Sequence, residues 1–504
     1  MRRLIEETVS NVNTTVGGAR RVAVVGGGIS GLAAAHRLVE LDPSCHVVLF
    51  EAGNRLGGVL ETVHEEGYEV ERSADNFITT IPYAVDLCRR LGLAESLVQT
   101  NPQFRQTYVV RRGRLHKLPD GFMMMAPTRL WPLALTPILS PWGKMRAGFE
   151  YFIPPRRDDG DESMAAFVRR RLGREVFDRL VEPLVSAVYA ADMERLSVKA
   201  TLSRFREMER EHGSLIRAMR TQMARRRHGG ESGARYSMFV TLRGGLSRLV
   251  AALADRLPPG AVRFNAAVER IERREPGSKA PAREGPEEAA LAEDRAAGNG
   301  GWNVRLADGA AETFDAVIVT APSFVAADLL RGVDAPLADA LAAIEHSGTA
   351  IVSVAYEREQ VGHPISGMGA VVPKTENSPV LAVSFSSQKY THRAPEGKVL
   401  LRVFAGGARR PELAGTPAAD LVPPVLAELS RLLAIRGEPC YTSVANWPRT
   451  MPQYTVGHRD RVARLEERLA GLPGIFLAGN AYRGVGIPDC IHGGETAAQR
   501  ALGG

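Results

Sequence analysis

Residues 21–58 read RVAVVGGGISGLAAAHRLVELDPSCHVVLFEAGNRLGG, and this stretch decides the fold. The apolar runs RVAVV (21–25) and HVVLF (46–50) are typical of buried strands, and LAAAHRLVEL between them has the spacing of an amphipathic helix. A glycine-rich turn, GGGISG, joins the first strand to the helix. The stretch therefore predicts a β-α-β unit of a parallel sheet, and with it an α/β fold class.

The glycine-rich turn has the spacing of a dinucleotide-binding loop. Gly26, Gly28 and Gly31 form G-x-G-x-x-G, and Glu51 follows twenty residues after the last glycine, at the end of the second strand. Glycines here let backbone N–H groups reach a pyrophosphate at the helix N-terminus, while the carboxylate accepts hydrogen bonds from ribose hydroxyls. The further contacts expected from these loops are Ile29, Ser30 and Ala52. The motif alone leaves FAD and NAD open.

The end of the chain repeats the pattern of strand, glycine loop and helix. It reads GIFLAGNAYRGVGIPDCIHGGETAAQRAL over 474–502, with Pro488 near the first helical turn, where proline is favoured. The N-terminus of such a helix presents unpaired backbone N–H groups to an electron-rich partner. Two turns of this kind at opposite ends of the chain suggest that the whole chain wraps one cofactor.

The extension EAGNRLGG (51–58) resembles the FAD-binding superfamily of amine oxidases and porphyrinogen oxidases. The resemblance implies that the cofactor is FAD. It places Arg55 near the pyrophosphate or a ribose, and it lets Gly57 and Gly58 approach the cofactor closely. It also places the second helix N-terminus beside the isoalloxazine ring, where the helix dipole stabilises negative charge. The contacts expected there are Gly479, Asn480, Gly486, Ile487 and Pro488.

Further blocks are similar to the protoporphyrinogen/coproporphyrinogen oxidase family. They are VEPLVSAVYAADMERLS, TLRGGLSRLV, ANWPRTMPQYTVGH and GNAYRGVGIPDCIHGG, and the similarity runs from about residue 20 to the C-terminus. The resemblance implies that Val268 contacts the adenine through its backbone and that Trp447 packs beside the flavin. As plain core residues, the same two side chains would have no such role.

The same resemblance implies a reaction in heme biosynthesis. A porphyrinogen loses six hydrogens in three two-electron steps, O2 reoxidises the flavin to give H2O2, and the porphyrin is handed over to a chelatase or another enzyme of the pathway. The protein then mainly orients the substrate at the flavin and excludes water, because the flavin accepts the hydrogens. The 11 histidines accordingly form no acid–base constellation and no metal-ligand spacing. No catalytic side chain and no metal site are predicted.

The segment VERSADNFITTIPYAVDLC (70–88) departs from the family pattern. Relatives have a glycine-proline pair there, and often a basic residue that could meet a substrate propionate. This chain has Ser73 and Ala74, with no Lys or Arg after them until Arg89. The alternative carboxylate partners are Arg112, Arg114, Lys117 or an arginine of the helical region. The choice between protoporphyrinogen IX and coproporphyrinogen III stays open.

Two other functions remain compatible with the sequence. A flavin amine oxidase or polyene desaturase would share the fold and the FAD fingerprint but act on an amine or a polyene. A non-catalytic flavin-binding partner of a heme-pathway enzyme is the other alternative, motivated by the missing basic residue near 78–88. Turnover of each substrate separates these functions.

The order of the patterns predicts three parts. A discontinuous, Rossmann-type FAD-binding domain is expected from residues 20–75, 235–330 and 440–504. Alternating strands such as AIVSVAYE, VLAVSFSS and VLLRVFAGG predict a mixed-sheet substrate domain from residues 76–110 and 331–439. Residues 111–234 are expected to form an inserted helical domain, and the Pro-, Gly- and charge-rich residues 276–300 a flexible insertion.

Composition and charge narrow the class of protein. The 504 residues are 44% hydrophobic and 24% charged, which is typical of a globular enzyme of more than one domain. Four cysteines without a C-x-x-C pair argue against a disulfide framework and favour a reducing, cytoplasmic compartment. The net charge of +7 comes without a recognition module or an aromatic-interleaved basic groove, so no nucleic-acid binding is expected.

Membrane contact depends on one apolar stretch. No run of about 18 apolar residues exists, so no membrane-spanning helix is expected. The stretch FMMMAPTRLWPLALTPILSPW (122–142) permits three interpretations: a peripheral membrane face, the lining of a site for a greasy macrocycle, or ordinary helical core.

Overall fold

The structure is a computed structural model that describes residues 19–127, 130–228, 238–274 and 301–503. The predicted flexible insertion, residues 276–300, lies outside the described residues. The remaining predictions of strands, helices and loops fall largely within them.

Five strands form a parallel sheet at the predicted β-α-β unit. Their order across the sheet is Val262–Arg263, His46–Phe50, Arg21–Val25, Ala316–Val319 and Ile475–Leu477. The central strand is buried from Val22 to Val25, as a continuous apolar run predicts for a parallel strand covered on both faces. The helix Ile29–Leu41 follows it directly after the glycine turn. The predicted β-α-β unit is therefore confirmed.

Helices cover both faces of this parallel sheet. One face shares a core with the helices Ile29–Leu41, Tyr83–Arg90, Ser247–Ala254 and Ile487–Ala501. The other face shares a core with the helices Ser323–Leu330, Ala335–Ala342 and His458–Ala470. A three-stranded antiparallel sheet, Val268–Arg273, Trp302–Leu306 and Ala311–Phe314, completes that second face. This is a doubly wound, Rossmann-type arrangement.

A second, seven-stranded sheet is mainly antiparallel, as predicted. Its order is Tyr441–Pro452, His346–Glu357, Lys398–Gly406, Val380–Phe385, Gly369–Val371, Thr107–Arg111 and Arg114–Lys117. One pairing, between Gly369–Val371 and Thr107–Arg111, is parallel. The helix Ala418–Leu433 packs on one face of the sheet through alternate residues such as Leu401 and Val403.

A helical region with its own core lies between the strands Arg114–Lys117 and Phe239–Leu242. Its helices are Leu130–Leu135, Pro141–Gly148, Met164–Leu172, Arg174–Val176, Glu182–Tyr189, Val198–Thr201, Ser203–His212 and Leu215–His228. Within the described ranges, no helix is both long and apolar enough to cross a bilayer.

Short elements connect these layers. They are the strand pairs Thr62–Glu65 with Tyr68–Glu71 and Phe122–Met123 with Ala126–Pro127, the strands Phe77–Ile78 and Leu97–Gln99, which both pair with Phe239–Leu242, and the helix Ser386–Lys389.

Several domain boundaries in the structure differ from the predicted ones. The helix Tyr83–Arg90, expected in the substrate domain, packs with the parallel sheet, and so does the helix Ala335–Ala342. The strand Tyr441–Pro452, expected in the FAD domain, is the edge of the seven-stranded sheet. The predicted start of the helical domain at residue 111 falls inside the hairpin that ends at Lys117. An amphipathic pattern shows that an element has a buried face, but not which sheet that face meets.

Together these layers make an α/β protein with a Rossmann-type sheet, a mixed sheet and an inserted helical region, as the sequence predicts.

Candidate active site

The first glycine loop is built around a close approach of strand and helix. Gly26 has φ +107°, and a Cβ on Gly31 would overlap the Gly26 carbonyl oxygen. Gly28 precedes the helix without any side-chain cap, and the first turn carries no acidic residue. A Cβ on Gly28 would meet nothing within 4 Å. No side chain caps the start of this helix and the space beside Gly28 is open, which suits an anion such as a pyrophosphate.

Glu51 is fixed at the end of the second strand. Its two carboxylate oxygens accept hydrogen bonds from the backbone N–H groups of Gly27 and Gly53, each at 2.7 Å. These bonds leave further lone pairs on both oxygens for hydroxyl donors. The adjacent Ala52 is exposed. The predicted ribose contact therefore has its carboxylate oriented beside the glycine loop.

The loop of Arg55, Gly57 and Gly58 lies directly on the first glycine loop. Gly57 donates to the Gly27 carbonyl oxygen at 2.8 Å, and a Cβ on Gly58 would come within 3.2 Å of the Gly28 Cα. Both glycines have positive φ, +101° and +60°. The Arg55 guanidinium donates to the Gly58 carbonyl at 2.7 Å and lies 3.5 Å from Glu61. Arg55 is thus held at this loop rather than loose on the surface.

The C-terminal loop and helix come to the same place. The helix Ile487–Ala501 packs on Ile29–Leu41 so closely that a Cβ on Gly494 would overlap the Ser30 carbonyl oxygen. Gly486 caps it without a side-chain hydrogen bond, and Pro488 stands in its first turn. Both glycine loops therefore end in helix N-termini on the same face of the parallel sheet.

The loop before the C-terminal helix is fixed by buried polar contacts. Gly479 has φ +129°, Asn480 donates to the Thr450 carbonyl at 3.0 Å, and the Tyr454 hydroxyl donates to the Asn480 carbonyl at 2.6 Å. A cavity of about 360 Å³ is lined by residues of this loop and of the two flanking helices, including Gly479 and Asp489.

Three titratable groups near this loop were not predicted from the sequence. Burial, followed by the charge of Asp489, raises the pKa of Tyr189 to about 12, and burial also raises the pKa of Asp489 itself. Burial keeps the pKa of Tyr454 well above its usual value. Tyr189 and Tyr454 lie in the family-like blocks at 181–197 and 445–458, but nothing in their spacing marks them as neighbours.

Val268 and Trp447 occupy different parts of the structure. Val268 begins a strand, and just before it Ala266 donates to the Glu51 carbonyl at 2.9 Å, which brings this segment beside the ribose end of the site. Trp447 lies on the edge strand of the seven-stranded sheet and donates through Nε1 to the Arg72 carbonyl at 2.7 Å. Neither contact by itself tests the predicted roles toward adenine and flavin.

The candidate carboxylate partners lie apart from the glycine loops. Arg112 lines a surface cavity of about 430 Å³ together with Arg111, Arg174 and Arg179. Arg114 and Lys117 lie on the edge strand of the seven-stranded sheet and are exposed. The segment from Ser73 instead leads to Tyr83, whose ring stacks on His492 of the C-terminal helix at 3.9 Å between centroids.

The residues at the two loops fit FAD. The uncapped first helix would hold the pyrophosphate, the Glu51 carboxylate would accept from the ribose, and the second helix N-terminus would direct its positive dipole end at the ring system. The cofactor is FAD, and the glycines leave the space that a dinucleotide needs next to the backbone.

Comparison with known proteins agrees with this geometry. The family model described as "Flavin containing amine oxidoreductase" matches residues 29–502. The chain is 33% identical to a coproporphyrinogen III oxidase of Bacillus subtilis, covering 96% of this chain and 98% of that protein. It is 31% identical to a chloroplastic protoporphyrinogen oxidase of Nicotiana tabacum, covering 95% and 85%.

A solved structure supports the same relationship. It is assigned as a protoporphyrinogen oxidase from Exiguobacterium sp. 255-15, and it superposes with a TM-score of 0.82 at 30% identity, covering 96% of this chain and 99% of that one. The family match and these relatives both span nearly the whole chain. This protein is therefore a member of the flavin containing amine oxidoreductase family and an FAD-dependent oxidoreductase.

Proposed function

We propose that this protein oxidises a porphyrinogen to the corresponding porphyrin in heme biosynthesis. The observation that carries the proposal is the near-complete match to a coproporphyrinogen III oxidase, 33% identical over 96% of this chain. The geometry of the two glycine loops supports it, because both lead into helix N-termini without side-chain caps, which suit the parts of FAD. FAD, when bound, supplies the two-electron acceptor for each dehydrogenation.

The proposed contacts of the chain with FAD are those that the sequence motifs and the family resemblance imply. The first loop region supplies Gly26, Gly28, Ile29, Ser30, Gly31, Glu51, Ala52, Arg55, Gly57 and Gly58. The second supplies Gly479, Asn480, Gly486, Ile487 and Pro488, with Val268 at the adenine and Trp447 at the flavin. These groups bind and orient the cofactor and exclude water from it, and no side chain is assigned a proton-transfer step.

Among the porphyrinogens, we propose coproporphyrinogen III as the preferred substrate. It carries four carboxylates where protoporphyrinogen IX carries two, and the chain has a net charge of +7. The cavity around Arg111 and Arg112 is lined by four arginines and three carboxylates, so its side chains add one net positive charge. O2 is the proposed oxidant, with one H2O2 formed in each of the three two-electron steps.

The test is a fluorescence assay with the purified flavoprotein. Porphyrin fluorescence is followed in air after addition of coproporphyrinogen III or protoporphyrinogen IX, each against an enzyme-free blank, and H2O2 is measured in parallel. A rise of porphyrin fluorescence above the blank, with three H2O2 formed for each porphyrin, supports the proposal. The porphyrinogen that is oxidised faster is identified as the substrate. A bound flavin that forms neither porphyrin would promote the amine-oxidase, polyene-desaturase or non-catalytic alternatives.

We further propose a cytoplasmic enzyme whose helical region touches the membrane surface peripherally. Six large apolar side chains between residues 131 and 152 are between 51% and 76% exposed: Trp131, Leu135, Trp142, Met145, Phe149 and Phe152. Trp142, Met145 and Phe149 are spaced to share one helix face. Lys144 lies among them, and Arg217 stacks over Tyr151 at 4.2 Å, so cations complement an anionic headgroup layer.

Vesicle flotation checks this proposal. The wild type should float with vesicles that contain anionic lipid and less with neutral vesicles, and Trp142→Ser with Phe152→Ser should reduce flotation at least fivefold. Val456→Ser, a substitution of a partly exposed valine outside the patch, serves as the matched control. Equal flotation of the variant and the wild type would rule out this face.

Handover of the porphyrin to a chelatase or another pathway enzyme is proposed as the next step.

A further inference from the structure

A surface cavity of about 430 Å³ lies where the helical region meets the hairpin at the edge of the seven-stranded sheet. Its lining comes from that hairpin, from the short helical turn Lys374–Glu376 and from residues 174–179 of the helical region. Among the described residues, the lining consists of four arginines, three carboxylates and Thr375. Clefts at the junction of two structural parts are common ligand sites, and this lining suits a charged ligand rather than an apolar one.

Two of the three carboxylates are already engaged in hydrogen bonds. The two oxygens of Glu376 accept from the backbone N–H groups of the hairpin turn, residues 112–113, at 2.8 and 3.0 Å. The two oxygens of Glu175 accept from the N–H and the hydroxyl of Ser140, each at 2.6 Å, and Glu175 also pairs with Arg179. These carboxylates therefore stabilise the hairpin turn and the helical region on either side of the cavity.

Two of the four arginines have no partner. Besides Arg179, Arg174 has a carboxylate partner, Asp178, at 3.4 Å. The guanidinium groups of Arg111 and Arg112 form no hydrogen bond and no ion pair with any residue that the structure describes. Each guanidinium group presents five N–H donors in a planar fork that matches a carboxylate or a phosphate. The cavity thus combines one net positive charge with two unused forks.

Arg111 lies among cations. Burial, followed by the charges of Arg179 and Arg112, lowers the pKa of the Arg111 guanidinium. The carboxylates of the cavity act in the opposite direction, by smaller amounts. An anion placed beside these guanidinium groups would relieve the repulsion between them.

Regular backbone structure carries the arginines on both sides of the cavity. Arg112 and Gly113 are the two central residues of the hairpin turn, with φ +51° and +71°, as a tight two-residue hairpin requires. Arg179 lies in a π-helical turn, Phe177–Val181, a rare conformation that is frequent at functional sites. The guanidinium groups are therefore presented from defined turns rather than from a long loop.

We propose that this cavity binds a small polyanion, a ligand with at least two carboxylate or phosphate groups, between Arg111 and Arg112 of the hairpin and Arg179 of the helical region. Guanidinium forks bind either group through paired N–H···O bonds. The lining lacks the apolar surface that a porphyrin macrocycle needs, so the site is separate from that of the proposed substrate. The inference goes beyond the proposed function and does not rest on it.

The test measures anion binding by the FAD-loaded enzyme, in which the glycine loops are occupied. Inorganic pyrophosphate and the tricarboxylate tricarballylate are titrated by isothermal titration calorimetry at constant ionic strength. At least one of them should bind saturably, and the tighter one identifies phosphate or carboxylate as the preferred group. Arg111→Gln with Arg112→Gln should weaken this binding by about tenfold or more, because charge-assisted hydrogen bonds are lost.

A matched control separates the site from general attraction of anions. Arg105→Gln with Arg459→Gln removes the same charge from two exposed arginines outside the cavity and should keep the wild-type affinity. If the first double variant fails to fold, Arg111→Lys with Arg112→Lys replaces it. That variant keeps the charges but loses the planar forks, so it should still bind more weakly than the wild type.

Weaker binding in the cavity variants together with unchanged binding in the control supports the inference. The absence of saturable binding of either anion would overturn it, and so would equal affinities of the wild type and the cavity variants. An equal loss in the control would also overturn it, because only the net charge would then matter. None of these measurements needs a porphyrinogen, so an enzyme that forms no porphyrin would refute the proposed function alone.

Discussion

At the scale of single residues, the site depends on a few positions where only one side chain fits. Gly31 is such a position, because a Cβ there would overlap the Gly26 carbonyl oxygen and come within 2.7 Å of Thr320 Oγ1. Neither contact can relax without moving the strand or the helix. The glycine pattern is therefore required by the close packing of the strand and the helix as much as by the approach of the cofactor.

Gly31→Ala should weaken FAD binding at least tenfold and lower the thermal unfolding midpoint, because the helix must move away from the strand to accept the methyl group. Flavin retention after gel filtration and the unfolding midpoint check both effects. Gly332→Ala is the control, since a Cβ at this exposed glycine meets nothing within 4 Å. Equal FAD retention in Gly31→Ala and the wild type would contradict the assigned geometry.

His458 should make stability depend on pH. Burial lowers its pKa from 6.5 to about 4, and its ring stacks on Tyr454 at 3.9 Å while Nε2 donates to the Tyr482 carbonyl at 3.1 Å. The unfolded state binds the proton first as pH falls, so the stabilisation is complete above about pH 6.5 and is lost as pH falls through about 4.

Thermal unfolding at pH 7, 6, 5 and 4 checks this dependence. Between pH 6.5 and 4, the free energy of unfolding of His458→Gln should fall by on the order of 2 kcal/mol less than that of the wild type. Its unfolding midpoint should therefore also fall less. His116→Gln, which changes a histidine on an edge strand, is the control substitution. Parallel pH profiles for His458→Gln and the wild type would exclude this origin.

At the scale of elements, the two strands that flank residues 275–300 form an antiparallel pair. The strands Val268–Arg273 and Trp302–Leu306 pair in register up to Arg273 and Trp302, and Arg274 donates to the Gly301 carbonyl at 3.0 Å. The ends that flank residues 275–300 are thus already held at hairpin distance by this antiparallel pair.

Replacement of residues 275–300 by an Asn-Gly turn should leave the unfolding midpoint within about 2 °C of the wild type and flavin content unchanged, because a two-residue loop fits paired antiparallel strands. Calorimetry and the flavin absorbance ratio measure the outcome. A large loss of stability or flavin would show that the replaced residues contribute to the folded core or the site.

At the scale of the whole molecule, one site joins segments from opposite ends of the chain. Glu51, Arg55 and the first helix come from the N-terminal part, and Gly479 and the second helix from the last thirty residues. A ligand at this junction therefore contacts segments from both ends of the chain. Binding to the native state alone stabilises that state by mass action.

Addition of FAD to the apoprotein should raise the unfolding midpoint progressively. The free energy of unfolding should rise by about 2.7 kcal/mol when free FAD is 100 times its Kd. NAD at the same concentration should give no comparable rise, because the second loop and helix are proposed to hold the flavin ring, which NAD lacks. Differential scanning fluorimetry of the apoprotein measures both. An equal rise with NAD would contradict the assignment of the second loop.

The sequence by itself determined the β-α-β unit, the position of both glycine loops, the mixed sheet and the fold class. These features are read from short-range periodicity and from backbone requirements at individual glycines, so they are encoded within a few tens of residues. It also marked Glu51, which the structure holds next to Gly27.

Only the tertiary structure decided which sheet each element joins and which charges meet. Tyr83–Arg90 packs with the parallel sheet, and Tyr441–Pro452 with the other, although both patterns fit either place. Lys389 meets Asp75 across 314 residues of sequence. No local pattern encodes such a pair, because its partners lie on separate loops and short elements that meet only in the folded molecule.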